Sequence, residues 1–164
     1  MINRRDFVLR SLGAGALLSA APRFAHAASA AVDALTDESA PPVAMTVYKS
    51  PTCGCCKEWI KHVEKNGFKC KVVQMDDLTP IKQSAGVPLG MSSCHTALVG
   101  PYFVEGHVPA DCIQKVLQTK PAIAGLAVPG MPLGSPGMEQ GPDKQPYKVY
   151  AVAKNGATSV FASR

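Results

Sequence analysis

Beyond its first 27 residues the chain has no apolar run long enough to cross a bilayer, no basic cluster and no internal repeat. The first absence excludes a membrane span in the body of the protein, because a helix needs about 20 consecutive apolar residues to cross. The second argues against nucleic acid as a partner. The third leaves one globular unit rather than an array. Also missing is the even scatter of cysteines that marks a disulfide-stapled scaffold. Of six cysteines, Cys53, Cys55 and Cys56 fall at a single turn, so the pattern is that of a site.

The opening segment, MINRRDFVLRSLGAGALLSAAPRFAHA, has a basic start at Arg4 and Arg5, an apolar middle and a small-x-small ending at Ala25-His26-Ala27. That is the layout of an export signal, too short and too soon followed by Pro22 and Arg23 to be a membrane helix. The arginine pair ahead of Asp6, Phe7 and Val8 resembles the twin-arginine type; a general secretory signal holding two arginines is the alternative. On this reading residues 1–27 are removed, residues 28–42 form a flexible leader, and residues 43–164 are the working domain in a periplasm. Arg4, Arg5, Arg10 and Arg23 leave with the signal, so the basic pI of about 8.9 belongs largely to the discarded end. What remains is one domain, large enough to bury its own core.

Residues 43–49 alternate and are β-branched, as a strand should be. Over 55–66 the period becomes helical, with Cys56, Trp59, Ile60 and Val63 on one face and Gly67 as the left-handed stop. A second strand is expected over 68–75. A short helix over 79–85 follows, with Thr79 as its cap and Pro80 in its first turn. Strands over 96–99 and 102–105 precede a helix over 110–120 with Ile113, Val116 and Leu117 inward. GLAVPGMPLGSPGMEQGPDKQP reads as a long ordered loop, and residues 147–162 as a closing hairpin around Asn155-Gly156. The expectation is an α/β, thioredoxin-like fold, βαβ then ββα, with a C-terminal β-hairpin extension. Cys53-Gly54-Cys55-Cys56 lies where that fold keeps its redox pair.

Thiols at a helix N-terminus are acidified by the free amides there, which suits nucleophiles and metal ligands alike. Two details favour a metal. A third cysteine beside a C-x-x-C pair invites disulfide reshuffling. And Ser93-Cys94-His95-Thr96, ahead of the third strand, stands where thioredoxin-like folds hold a proline against the cysteine pair, so Cys94 is expected to face the turn. Converging sulfurs select soft ions such as copper(I). Adjacent Cys55 and Cys56 fit one tetrahedral ion poorly, so several bridged copper(I) ions suit them better than a closed zinc site. His107, Met131 and Met138 are further soft ligands within reach of a loop.

TCGCCKEW, SCHTA, EGHVPA and GLAVPGMPLGSPGME, in that order, resemble the periplasmic copper-resistance CopG-type proteins, long catalogued as a domain of unknown function. The resemblance runs over about residues 45–139. It implies a thioredoxin-like fold, copper (I or II) as the bound ion and a role in copper resistance. Its metal positions map onto Cys53, Cys55, Cys56 and Cys94, with His95, His107, Met131 and Met138 as additional candidates. The partners implied are copper ions and a periplasmic copper efflux or chaperone protein. A second function stands beside the first: a thiol–disulfide or copper oxidoreductase with Cys53 and Cys56 as its redox pair. Plainer roles are on the table for each residue. Cys94 fits a core cysteine, His95 a strand cap, His107 a surface loop, and the methionines gap-fillers. Trp59 is core or a shield for the site. Cys70 and Cys112 are small buried hydrophobes, or a disulfide if close enough.

Overall fold

The structure, a computed structural model, describes residues 41–164. The expected signal, and the expected leader apart from Pro41 and Pro42, lie outside the described residues.

β1 (Val43–Lys49) turns Met45, Val47 and Lys49 to one face of the sheet. The turn after it feeds α1 (Gly54–Lys65), whose buried stripe is Cys56, Trp59, Ile60 and Val63, the spacing read from the sequence. Gly67, at φ +87°, takes a conformation closed to most side chains and sends the chain back into β2 (Phe68–Gln74), parallel to β1. α2 (Thr79–Ala85) differs in its start. Thr79 lies inside the helix, and its amide donates to Asp77 Oδ1 at 2.8 Å, so Asp77 does the work expected of Thr79.

A single 3-10 turn at Leu89–Met91 leads to β3 (His95–Val99), antiparallel to β1, and then to β4 (Tyr102–Glu105) and α3 (Ala110–Thr119). Strand order β2-β1-β3-β4 is the arrangement that βαβ followed by ββα demands. The sheet continues through β5 (Ile123–Ala127), β6 (Lys148–Ala153) and β7 (Thr158–Ser163). The closing hairpin therefore joins the core through β5 and prolongs one seven-stranded sheet. β5 was hidden in the sequence because it overlaps the Gly/Pro-rich run. Gly125 is no loop glycine: a Cβ there would fall 2.3 Å from the Phe103 carbonyl oxygen, so the strands meet only because it has none.

α1 and α3 cover one face of the sheet, over a core that includes Val47, Trp59, Ala97, Val104 and Ile113. The other face packs Phe103, Ala127 and Val152 against Ala85, Val87 and Met91 around α2. On that second face sits a buried ion pair. Glu105 is fully buried, accepts from the Lys82 ammonium and from the Ser93 amide (2.6 Å) through Oε1, and from Thr96 Oγ1 (2.7 Å) through Oε2. Both carboxylate oxygens have donors, which is what makes a buried carboxylate tolerable. Because Ser93 precedes Cys94, this network anchors the chain just before its strand. Lys82→Met should leave Glu105 without its charge partner and lower stability by about 3 kcal/mol, the modest end for breaking a buried pair because Lys82 keeps some contact with water. Urea denaturation at neutral pH checks this; an unchanged midpoint would mean that the pair adds nothing.

Candidate metal centre

The cysteine turn is built by the end of β1. The Cys53 amide donates to the Ser50 carbonyl at 3.2 Å, and Cys53 becomes the N-cap of α1, its sulfur accepting from the Cys56 amide at 3.3 Å. Cys53 and Cys56 are joined as a disulfide, with Cα atoms 5.4 Å apart, inside the usual range. Cys55 stays free beside that bond. Its sulfur lies 3.5 Å from Cys53 Sγ, 3.8 Å from Cys94 Sγ and 3.9 Å from Met131 Sδ. Cys56 Sγ lies 3.7 Å from the Cys94 carbonyl oxygen. Four cysteine sulfurs thus face one corner, although they come from opposite ends of a β–α–β–α–β stretch.

Cys94 is the hinge between this sulfur group and two imidazoles. Its Sγ is 3.1 Å from His107 Nε2 and 3.3 Å from His95 Nδ1. His107 Nδ1 lies 2.8 Å from the Pro136 carbonyl, which can only accept. Nδ1 therefore carries the proton and Nε2 presents its lone pair to the Cys94 sulfur, the tautomer a metal ligand needs. His95 is fully buried, packed 4.4 Å from the Trp59 ring and 5.2 Å, edge-on, from His107. Its Nε2 has no hydrogen-bond partner among the described residues. An orphaned polar atom at such depth is costly, and its lone pair is free to meet a further group.

Electrostatics keep the imidazoles neutral. Burial pushes His95 well below its usual range, helped by His107 and by the ammonium groups of Lys82 and Lys49. Burial also lowers His107, opposed by the Pro136 carbonyl and Glu139. Burial pushes the Cys94 thiol up to about 12, with Cys55 adding to the effect, so without a metal Cys94 is a protonated thiol at neutral pH. Its hydrogen can be donated to His107 Nε2. Lys49, fully buried beside the turn, donates to the Ser50 and Pro51 carbonyls and has no carboxylate partner among the described residues.

Two glycines make the walls possible. Gly106, at φ +68°, brings the chain so close that a Cβ would fall 2.6 Å from the Val128 carbonyl oxygen. Gly137, at φ +84°, lies against the start of α1, where a Cβ would come within 2.6 Å of the Trp59 amide and 2.8 Å of the Cys55 carbonyl. The long Gly/Pro loop is thereby pressed onto the cysteine helix. It supplies Met131, which is half exposed, and Pro136 behind His107.

Of the positions singled out from sequence, the structure brings Cys53, Cys55, Cys56, Cys94, His95, His107 and Met131 together. Met138 enters differently: its amide donates to the Ser135 carbonyl and its own carbonyl accepts from the Gly134 amide. His107 is a buried residue, not a surface histidine, and His95 faces Trp59. Trp59 is core and wall at once, its Nε1 donating to the Val108 carbonyl at 2.9 Å. Cys70 and Cys112 are both free, so the Cys70–Cys112 disulfide is not formed. Sequence reading missed Lys49, Lys82, Glu105 and Pro136. Lys49 and Glu105 carried one signal, a charge at an inward position of a strand.

Fold and site together define an α/β protein with a mixed thiol, imidazole and thioether corner whose cysteine and histidine groups could hold a metal ion. A family model described as a protein of unknown function, DUF411, matches residues 91–138. Two solved structures, named copper resistance protein copG, Form 2 and Form 1, are each 47% identical to the chain. Each comparison covers 75% of this chain and 98% of the other, with TM-scores of 0.72 and 0.71 respectively. The chain belongs to the CopG family of copper resistance proteins. No curated protein sequence matches it. No helix among the described residues is long and apolar enough to cross a membrane.

The lowered histidines set a pH dependence. His62, which accepts from the Ala110 amide at 3.1 Å and is lowered by burial, joins His95 and His107 in holding fewer protons folded than unfolded. Their contribution is complete above the unfolded value of about 6.5 and is lost as pH falls below it. Each ring contributes a slope of up to about 1.4 kcal/mol per pH unit. Glu105, raised by burial, contributes with the opposite sign. Metal-free protein should lose stability between pH 7 and pH 5 in urea titrations; stability that holds or rises over that range would mean that the three rings do not outweigh Glu105.

Proposed function

We propose that the chain is a periplasmic copper-binding protein of copper resistance, holding copper(I) through the thiolates of Cys53, Cys55, Cys56 and Cys94. The observation that carries this reading is the place of Cys94 Sγ, 3.8 Å from Cys55 Sγ on one side and 3.1 Å from His107 Nε2 on the other. Membership in a family whose solved relatives are copper resistance proteins supports copper over other soft ions. Thiolates and a thioether are the donors that copper(I) prefers. With Cys55 and Cys56 adjacent, the four thiolates reach several ions by bridging more readily than they close around one. His107 is oriented as a ligand by Pro136, His95 offers a buried ring beside it, and Met131 covers the outer side. Met138 stays a candidate on its sequence position alone. Before copper is bound through all four thiolates, the Cys53–Cys56 disulfide must be reduced.

Anaerobic copper(I) titration against a chromogenic chelator tests this. The reduced protein should outcompete the chelator, and Cys55→Ser or Cys94→Ser should weaken binding at least 100-fold; unchanged binding in both variants would refute the assignment. Binding must also displace the Cys94 proton, whose thiol sits near 12. Apparent affinity should therefore rise about tenfold per pH unit for each proton released between pH 6 and 8. A pH-independent affinity would count against thiolate ligation.

A second reading is favoured by the disulfide at the helix N-cap. Closing Cys53–Cys56 releases two electrons and two protons, enough to reduce two copper(II) ions to copper(I). A measured potential below about −300 mV, typical of structural disulfides, would argue against repeated turnover, because the closed bond would resist being reopened. Export of the domain 43–164 by the twin-arginine signal belongs to the same proposal. Cell fractionation of an Arg4→Lys, Arg5→Lys double variant tests that part, retention in the cytoplasm being the expected result. An efflux or chaperone partner would meet the site on the side of exposed Met131, and crosslinking from that position would identify it.

A further inference from the structure

We propose that His62 is a positioning residue with a pH-dependent grip: its neutral ring pins the segment that carries His107 to the helix that carries the cysteine turn, and protonation releases it. The effect on copper rests on the copper-binding reading above, whereas the pin itself does not.

α1 holds that segment through Trp59 and His62, neighbours on one helix face. Trp59 Nε1 donates to the Val108 carbonyl at 2.9 Å, and His62 Nε2 accepts from the Ala110 amide at 3.1 Å. His107 stands immediately before Val108, so both bonds fix the backbone from which its ring projects. The two pins differ in chemistry. An indole donates at any pH, while an imidazole accepts only through an unprotonated nitrogen. The bond to Ala110 therefore places the ring proton on Nδ1 and cannot survive protonation of Nε2. Pro109, the N-cap of α3, offers no side-chain acceptor in its place, and Ala110 is buried.

The charges around the ring suit both states. Burial holds the half-buried ring below the usual histidine range, opposed by Glu139 in the Gly/Pro loop and Asp111 on α3 and helped by Lys65 on α1. Asp111 also pairs with Arg164, and Glu139 also accepts from the Gly137 amide at 2.7 Å. A protonated ring thus has two carboxylates within electrostatic reach when it gives up the Ala110 amide. It also becomes a cation at the positive end of α3, where it is repelled. The pin is closed at neutral pH and opens as pH falls below the ordinary histidine value of about 6.5. Opening leaves the Val108 carbonyl held and the Ala110 end loose, so the backbone behind His107 keeps one of these two bonds to α1.

Amide hydrogen exchange followed by NMR tests the pin in metal-free protein. Protection of the Ala110 amide, taken relative to that of Ala97 in β3 to remove any global loosening, should fall about tenfold between pH 7.5 and pH 5. In His62→Gln, whose side-chain carbonyl can accept in the same place and does not titrate, the ratio should stay level over that range. A wild-type ratio that stays level, or one that falls equally in His62→Gln, overturns the proposal. The link to the site is read in copper(I)-loaded protein by the rate at which a chelator withdraws the metal. Wild type and His62→Gln should agree at pH 7.5, and wild type should release copper about threefold faster than the variant at pH 5. Equal rates at both pH values would confine His62 to the fold and overturn its positioning role. Failure of wild-type protein to take up copper(I) at pH 7.5 would instead remove the functional reading, and the exchange result would stand without it.

Discussion

The antiparallel pairing of β3 with β1, in the register that sets His95 opposite Lys49, is the constraint on which the site depends. The chain leaves β1 at Lys49 and reaches the cysteine turn a few residues later. It enters β3 at His95, with Cys94 immediately before. Pairing those two residues puts both ends of a long excursion at the same edge of the sheet. A slip of one residue would reverse the faces of β3. His95 would then leave Trp59, and Thr96 would leave Glu105. The register is held from both sides: Ala97 and Val99 pack under the helices, while Thr96 and Leu98 belong to the opposite layer.

Given that register, the remaining parts act on charge. The corner gathers groups whose charged forms burial disfavours, so without metal it rests as neutral rings and a neutral Cys94 thiol. A soft cation reverses that preference, since it replaces the thiol protons and gives the thiolates a counter-charge. Lys49 beneath the turn acts on His95, helping to keep that ring neutral. The Glu105–Lys82 pair is separate, on the other face, and serves to position Ser93 rather than to bind.

Much of this could be read in the sequence, for reasons that differ from element to element. α1 was legible because its apolar period and its Gly67 stop agree, and the cysteine turn because residue types at such spacing rarely mean anything else. The approach of Cys94 to that turn followed from element order. What could not be read were close approaches made by glycine. Gly125 and Gly137 look like loop residues in a sequence, whereas in the fold each is a place where two backbones touch. β5 was missed for that reason. Pro136 was invisible as a partner for His107 because a backbone carbonyl has no sequence signature. Neighbours along a strand point to opposite faces, but β3 begins only at His95, so Cys94 escapes the rule.

Met131 has a consequence of its own. The other soft donors around Cys94 are held by helix, strand or hydrogen bond, while this thioether is 52% exposed on a loop. On the proposed copper-binding reading, grip and speed of exchange would fall to different residues: the inner donors would determine how tightly an ion is kept, and the exposed outer sulfur how soon an incoming ligand can replace it. A carrier of this design can be made faster without being made weaker, by changing a side chain that faces water.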